Sequence, residues 1–420
     1  MTAGLLEKEA EIREKNILKR NYIYSTIDGS LFALAMGMVP LNTVILYFIS
    51  GYVSQKWLIG LLSFINVLLT FSPQILASKK IERLKYLKPF MLITSVMIRI
   101  LWLILGLTVI LFAKNNKSLF IILFYIIYSL IGLASAFSNI SWLNFIVKII
   151  PAHVRGRFLG IRSSIAGVFE STGALLMGLI IKILPYPFNY GILFLTVSAL
   201  TFISFWVLSL SKEEKSQEYA RNNDYQSVIS RIGYVLKNDM NFTKYLITVA
   251  LIAGLGKMAF AFQIIFAKDK LGINEVQLSI SSFIFLASQS LGYLLWGIIG
   301  DKRGFKLTLE ISAIIFLPAI LFTYMMSSIF IFYLSMCLFG LAQSARNCNE
   351  NNLAIVLCKN PTDQPLYIGL RNLLMGPFFA MTPVLAGLIL DFMGYDILFI
   401  VSTIFVLSGL YVMRFHVIEK

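Results

Sequence analysis

The run Gln343 to Asn352 reads Gln-Ser-Ala-Arg-Asn-Cys-Asn-Glu-Asn-Asn inside an otherwise apolar segment. Arg346 and Glu350 are four residues apart, so on a helix they share a face and can pair. With Asn347 beside them they suit contact with a polar or charged solute. Arg346 would donate to an anion, and Glu350 would act as its partner or carry a proton. The bland reading of the same residues is a salt bridge that locks helices together. Two further ionisable groups have apolar neighbours. Lys257 stands in Gly254-Leu255-Gly256-Lys257, where the glycines would let a ligand or another helix approach the backbone. Glu170, in Val168-Phe169-Glu170-Ser171-Thr172, is the carboxyl best placed to carry protons, or else a partner for Arg162. Arg99 reads as a helix-locking arginine, and Asp28 as either a helix cap or a group at a cavity mouth.

The elements that carry these residues follow from composition. Of 420 residues, 58% are hydrophobic and 14% charged, and the mean hydropathy is +0.80. A soluble domain is about 25% charged and about 45–50% apolar, so this chain cannot wet a globular surface. Its apolar residues come in blocks long enough to cross a hydrocarbon core as helix. Twelve spans are expected, at 22–52, 57–77, 89–113, 119–147, 160–184, 189–210, 242–267, 276–300, 306–326, 329–357, 366–392 and 396–415. Barrel strands are shorter and alternate in polarity, which excludes them. The chain thus divides into a tail or helix at 1–21, a six-helix bundle at 22–210, a polar linker at 211–241 and a second bundle at 242–416.

Charge sets the expected orientation. With the N-terminus inside, inner segments hold 27 of the 36 Lys and Arg residues and outer turns hold 6. That bias places both termini in the cytoplasm and accounts for a net charge of +15 without any nucleic-acid partner. The first twenty residues alternate acid and base, unlike a cleavable signal peptide. Cys337, Cys348 and Cys358 give neither a disulfide framework nor a metal-binding spacing.

The two bundles repeat each other. A shift of 209 residues aligns Gly160-Ile161-Arg162 with Gly369-Leu370-Arg371, Gly167 with Gly376, and Gly178-Leu179-Ile180 with Gly387-Leu388-Ile389. A shift of 208 places Ser138, Asn139, Ser141, Trp142 and Asn144 on the polar run of the tenth span. Asn139 and Asn144 therefore join Arg346, Asn347, Glu350 and Lys257 as candidate substrate contacts, with Glu170 and Glu350 as candidate proton carriers.

Between the eighth and ninth spans, Gly297-Ile-Ile-Gly300-Asp301-Lys302-Arg303-Gly304-Phe-Lys306 resembles the Gly-x-x-x-Asp-Arg-x-Gly-Arg/Lys signature of the major facilitator superfamily. Pro151-Ala-His-Val-Arg155-Gly156-Arg157 resembles the Pro-x-x-x-Arg-Gly-Arg turn that many members carry between spans 4 and 5. The loop after span 2, Pro73 to Arg83, keeps the basic residues of the signature but lacks its Gly-Asp core. The resemblance implies an all-α membrane protein of twelve transmembrane helices, in two six-helix bundles related by a pseudo-two-fold axis. It also implies a central cavity lined by spans 1, 4, 7 and 10. Asp301, Arg303, Arg155 and Arg157 would then serve gating.

The expected activity is secondary transport of a small polar or charged organic solute by alternating access, with protons as a candidate coupling ion. A lipid or drug flippase on the same scaffold is the alternative. No phosphate loop, nucleophile elbow or His-Glu-x-x-His motif occurs, so no enzyme and no cofactor is expected. The expected setting is a monomer passing repeatedly through the plasma membrane lipid bilayer.

Overall fold

The computed structural model describes residues 2–71, 86–213, 233, 235–358 and 363–419, and among these no strand occurs. The basic loop after span 2 and most of the central linker lie outside the described residues. Eleven helices carry the fold: α1 (Thr2–Gly37), α2 (Lys56–Phe71), α3 (Lys88–Phe112), α4 (Lys117–Ile149), α5 (Ala152–Ile183), α6 (Phe188–Ser209), α7 (Met240–Val249), α8 (Glu275–Arg303), α9 (Phe305–Tyr324), α10 (Ile329–Leu357) and α11 (Gln364–His416). Ten described helical stretches are long and apolar enough to cross a membrane, and α2 is a shorter apolar helix. The chain is an all-α multi-pass membrane protein.

Three boundaries differ from those read in the sequence. α1 runs unbroken from Thr2 to Gly37, so the polar tail and the first span are one helix. It stops before Pro40, and a π-helical turn, Leu41–Ile45, leads into Leu46–Ile49. The last two spans form one helical run, α11, interrupted at Gly394, whose φ of 83° only glycine adopts readily. Helix starts follow local chemistry. Asn116, Asp239 and Ser328 accept from the backbone N–H three residues on, and Asn274 and Gln277 form a reciprocal capping box.

The chain forms two compact units: residues 1–39 with 69–221, and residues 40–68 with 222–420. In the first unit, α1 packs on α5 and α6, and α3 packs on α4 and α6. The crossing of α1 and α5 is close. A Cβ on Gly37 would lie 1.9 Å from the Glu170 carbonyl oxygen, and one on Gly173 would lie 2.1 Å from that of Leu34. In the second unit, α10 packs on α8 and α9, and α11 packs on α7 and α9. Residues 40–68 join this unit at the end where α8 begins and α11 is interrupted. The Asp391 carboxylate accepts from the N–H groups of Lys56 and Trp57, both at 2.9 Å, and Lys56 pairs with Asp269 at 2.9 Å. Tyr47 donates to the Ile273 carbonyl at 2.9 Å, and Ser282 donates to Thr43 at 2.9 Å.

Each unit is fastened at its other end by the same two-part clasp. In the first, Asn21 takes and gives hydrogen bonds with the backbone of Lys212 at 2.8 and 2.9 Å, and the next residue, Glu213, accepts from the N–H groups of Leu87 and Lys88. In the second, Asn241 bonds the backbone of Ile418 in the same two-way fashion, and Glu419 accepts from the N–H groups of Phe305 and Lys306. A carboxylate at a helix start satisfies orphan donors and the positive end of the helix dipole. The short tail after each unit's last helix thus ties its first helix to its third.

Candidate functional site

Lys257 stands at a break. α7 ends at Val249, a π-helical turn covers Ala250–Gly254, a 3-10 turn covers Leu255–Lys257, and helix resumes at Met258. Gly254 has φ −82° and ψ −92°, outside the helical region, and its carbonyl accepts from Thr382 at 3.0 Å. Irregular turns inside an otherwise continuous helix concentrate at functional hinges and sites. Lys257 sits about halfway along the apolar stretch Met240–Leu271. It is half-buried, with its ammonium 5.6 Å from the centre of the Phe260 ring, and it has no hydrogen bond or ion pair among the described residues. Among the described residues the charge it feels is the like charge of Arg346.

Arg346 and Glu350 pair as their spacing foretold. The Arg346 Nε and Nη2 both donate to Glu350 Oε1, at 2.8 and 2.7 Å, and each residue is 6% exposed. The other carboxylate oxygen, Glu350 Oε2, is taken by Arg371 of α11. Tyr245 of α7 donates to the Glu350 carbonyl at 2.5 Å. Arg371 also donates to the side chains of Asn351 and Asn372, at 3.1 and 2.9 Å. Three helices, α7, α10 and α11, therefore meet on one residue, two at its carboxylate and α7 at its backbone carbonyl. With a rise of about 1.5 Å per residue, Tyr245, Glu350 and Arg371 lie roughly 8–11 Å inside their helix ends. Arg346 lies deeper, on the way to Lys257, and its Nη1 is buried with no partner.

The polar run of α10 splits between faces. Arg346, Asn349 and Glu350 are buried, with Asn349 donating to the Trp296 carbonyl at 3.3 Å. Asn347 is exposed, accepts from Gln343 at 2.6 Å and donates to Tyr293 of α8 at 2.9 Å.

In the first unit the buried charges are differently arranged. Asp28, about three-quarters of the way along α1, accepts from Ser204 at 2.6 Å and faces Arg162 at 3.8 Å, so it neither caps a helix nor stands at a helix end. The Arg162 guanidinium lies over the Trp142 ring at 4.3 Å and donates to the Ser25 carbonyl at 3.1 Å. Arg162 is thus engaged by α1 and α4, and Glu170 has no hydrogen bond or ion pair among the described residues. Glu170 is half-buried beside the tight α1–α5 crossing. Arg99 donates to the carbonyls of Thr201 and Ser95, locking α3 to α6. Asn139 is exposed, and Asn144 spends its amide on the Ile140 carbonyl of its own helix.

Arg371 and Arg162 were not singled out as site residues by sequence. The signal that marks them is the repeat, since both occupy the same place at a shift of 209 residues. Each reaches the fourth helix of its own bundle, Arg162 at Trp142 and Arg371 at Glu350, and these two targets are related by the shift of 208.

Of the gating candidates, Asp301 and Arg303 are exposed at the end of α8, next to Gly304, whose φ of 90° makes the turn into α9. Arg155 at the start of α5 wraps back on the preceding helix, donating to the carbonyls of Val147 and Ile150 at 2.7 and 3.0 Å. Arg157 is exposed. Among the described residues no group of three His, Cys, Asp or Glu side chains could hold a metal ion.

Two bundles built to one packing scheme, with clasps and arginines repeated, decide the fold. This is the major facilitator fold. The sequence model described as Major Facilitator Superfamily matches residues 246–419, the second bundle. Crystal structures of major facilitator transporters share the architecture over nearly the whole chain. The nucleoside transporter NupG is 12% identical with a TM-score of 0.72, the match covering 94% of this chain and 99% of that one. A D-xylose–proton symporter is 14% identical with a TM-score of 0.70, over 95% and 98%. A bacterial homologue of the human lysosomal transporter Spinster, inward-facing and unoccupied, is 13% identical with a TM-score of 0.65, over 96% and 94%. No curated protein sequence matches the chain. At such identities the likeness concerns fold, and the residues must speak for the activity.

Proposed function

We propose that the chain is a secondary transporter of a small polar or charged organic solute, working by alternating access, and is not an enzyme. The observation that supports this reading is the interruption at Gly254–Lys257, a broken helix carrying an unpaired lysine mid-way through an apolar span. Irregular backbone at membrane depth is tolerated where it lines a cavity or is buried in protein, and transporters place substrate sites at such breaks. An ionisable group at that depth is costly, so its retention favours use in binding. The matching family model and the named transporter neighbours support the same class.

Glu170 is the carboxyl we assign to proton coupling. It is half-buried and unengaged, whereas both oxygens of Glu350 are held by arginines. Asp301, Arg303 and Arg157, exposed at helix ends, are assigned to gating. The test is solute uptake into proteoliposomes across a panel of sugars, nucleosides and organic acids. Glu170→Gln is expected to abolish accumulation driven by a pH gradient and to leave exchange down the solute's own gradient. Full gradient-driven accumulation in that variant would remove Glu170 from coupling, and no flux of any panel member would remove the transport reading.

A further inference from the structure

The charges around the break in the seventh span do not balance. Among the described residues three cations, Lys257, Arg346 and Arg371, are set against Glu350, and the carboxylate's two oxygens are both used by the arginines. Lys257 receives nothing from that pairing. Its strongest charged neighbour is Arg346, which repels it. Arg346 is itself only partly satisfied, because a guanidinium has five N–H donors and its buried Nη1 meets no acceptor. Lys257 belongs to the irregular turn at Gly254–Lys257, Arg346 stands one helical turn from Glu350 on α10, and the two cations are near enough to repel.

Buried donors without acceptors, and like charges set near each other, are arrangements that a fold keeps when a ligand completes them. An acceptor that carried negative charge would satisfy the Nη1 of Arg346, give Lys257 its counter-ion and cancel the repulsion between them. A neutral sugar or nucleoside could do the first of these and neither of the others. A cation would worsen all three.

We infer that the transported solute is an organic anion, whose carboxylate or phosphate is taken between Lys257 and Arg346. This rests on the transport reading and narrows it to one charge class. Arg346 would bind the oxygens through its free Nη1 while its Nε and Nη2 stay on Glu350. Lys257, at the irregular turn, would close on the same group as a point charge.

Matched pairs that differ only in charge separate the possibilities: gluconate and glucose, uridine monophosphate and uridine, benzoate and benzamide, with choline as a cation. Thermal unfolding of the full-length detergent-solubilised protein reads binding, and proteoliposome uptake reads transport. At least one anion is expected to raise the melting temperature and to be taken up, while its neutral partner does neither. In Lys257→Gln the apparent affinity for that anion is expected to fall roughly thirty-fold or more, as when one member of a desolvated charge pair is removed. Lys257→Arg, which keeps the charge, is expected to retain most of it. Because Lys257 takes no part in the helix brace and is repelled by Arg346, Lys257→Gln is expected to melt at or above the wild-type temperature without solute, and Lys257→Arg close to it.

Uptake of a neutral or cationic member in preference to its anion would overturn the inference and leave the transport reading standing. So would an anion response of wild-type size in Lys257→Gln. Folded protein that neither binds nor moves any member would overturn the transport reading, and the inference with it.

Discussion

A single carboxylate shows how far residue chemistry reaches in this fold. Glu350 takes two donors from Arg346 on one oxygen and Arg371 on the other, with Tyr245 closing on its carbonyl. Removing one partner of a buried ion pair leaves the other charge uncompensated, at about 3–5 kcal/mol. Glu350→Ala would strand two guanidinium groups at once and is expected to fall at the upper end of that range or beyond it. The double change Glu350→Gln with Arg371→Gln removes one charge of each sign, and is expected to be milder than Glu350→Ala. Thermal unfolding of the purified variants checks both, and an equal loss in the two would show that leaving Arg371 without its carboxylate costs little. The pairing of Arg346 with Glu350 was legible because it lies within one helix at four-residue spacing. The arrival of Arg371 was not, since it needs α11 to pass α10, and a local pattern carries no such distance information. Arg162 went astray for the same reason. Glu170 is the nearest acid in sequence within its helix, but Asp28 of α1 and the Trp142 ring of α4 are what the guanidinium meets.

At the scale of the element, hydropathy identified the spans and missed their interruptions. The break after α7 and the stop of α1 before Pro40 change backbone hydrogen bonding without changing apolar content, so a hydropathy reading passes through both. The clasps were equally silent. Glu213 and Glu419 count as ordinary loop acids until each is seen accepting from two N–H groups at the start of a distant helix. Loss of a side-chain cap at a helix start costs about 0.5–2 kcal/mol. Glu213→Ala is expected to cost more than Glu419→Ala, because Glu213 also receives the Lys148 ammonium at 2.7 Å in a largely buried setting. The two clasps share no partner, so the double variant is expected to lose the sum of the single losses to within about 0.5 kcal/mol. Unfolding midpoints of the two single variants and the double variant test this. A double loss well short of the sum would mean that the clasps do not act independently.

For the whole molecule, what composition fixes is a set of apolar helices and a bias of basic residues, and the expected orientation rests on that bias alone. Lys and Arg number 27 on the segments assigned inside and 6 on those assigned outside, and basic residues are retained on the cytoplasmic face during insertion. Two exposed positions distinguish the arrangements: Asn115, in the turn between α3 and α4, and Lys302, at the end of α8. In a background with Cys337, Cys348 and Cys358 replaced by Ser, Asn115→Cys is expected to react with a membrane-impermeant maleimide in intact cells. Lys302→Cys is expected to react only after the membrane is opened. The reverse pattern would place the clasps, the Glu350 brace and the Asp301–Arg303 turn on the outer face. Lys257, half-way along its span, would keep its depth in either orientation, so the anion site would survive the inversion while the assignment of the cytoplasmic gate would not.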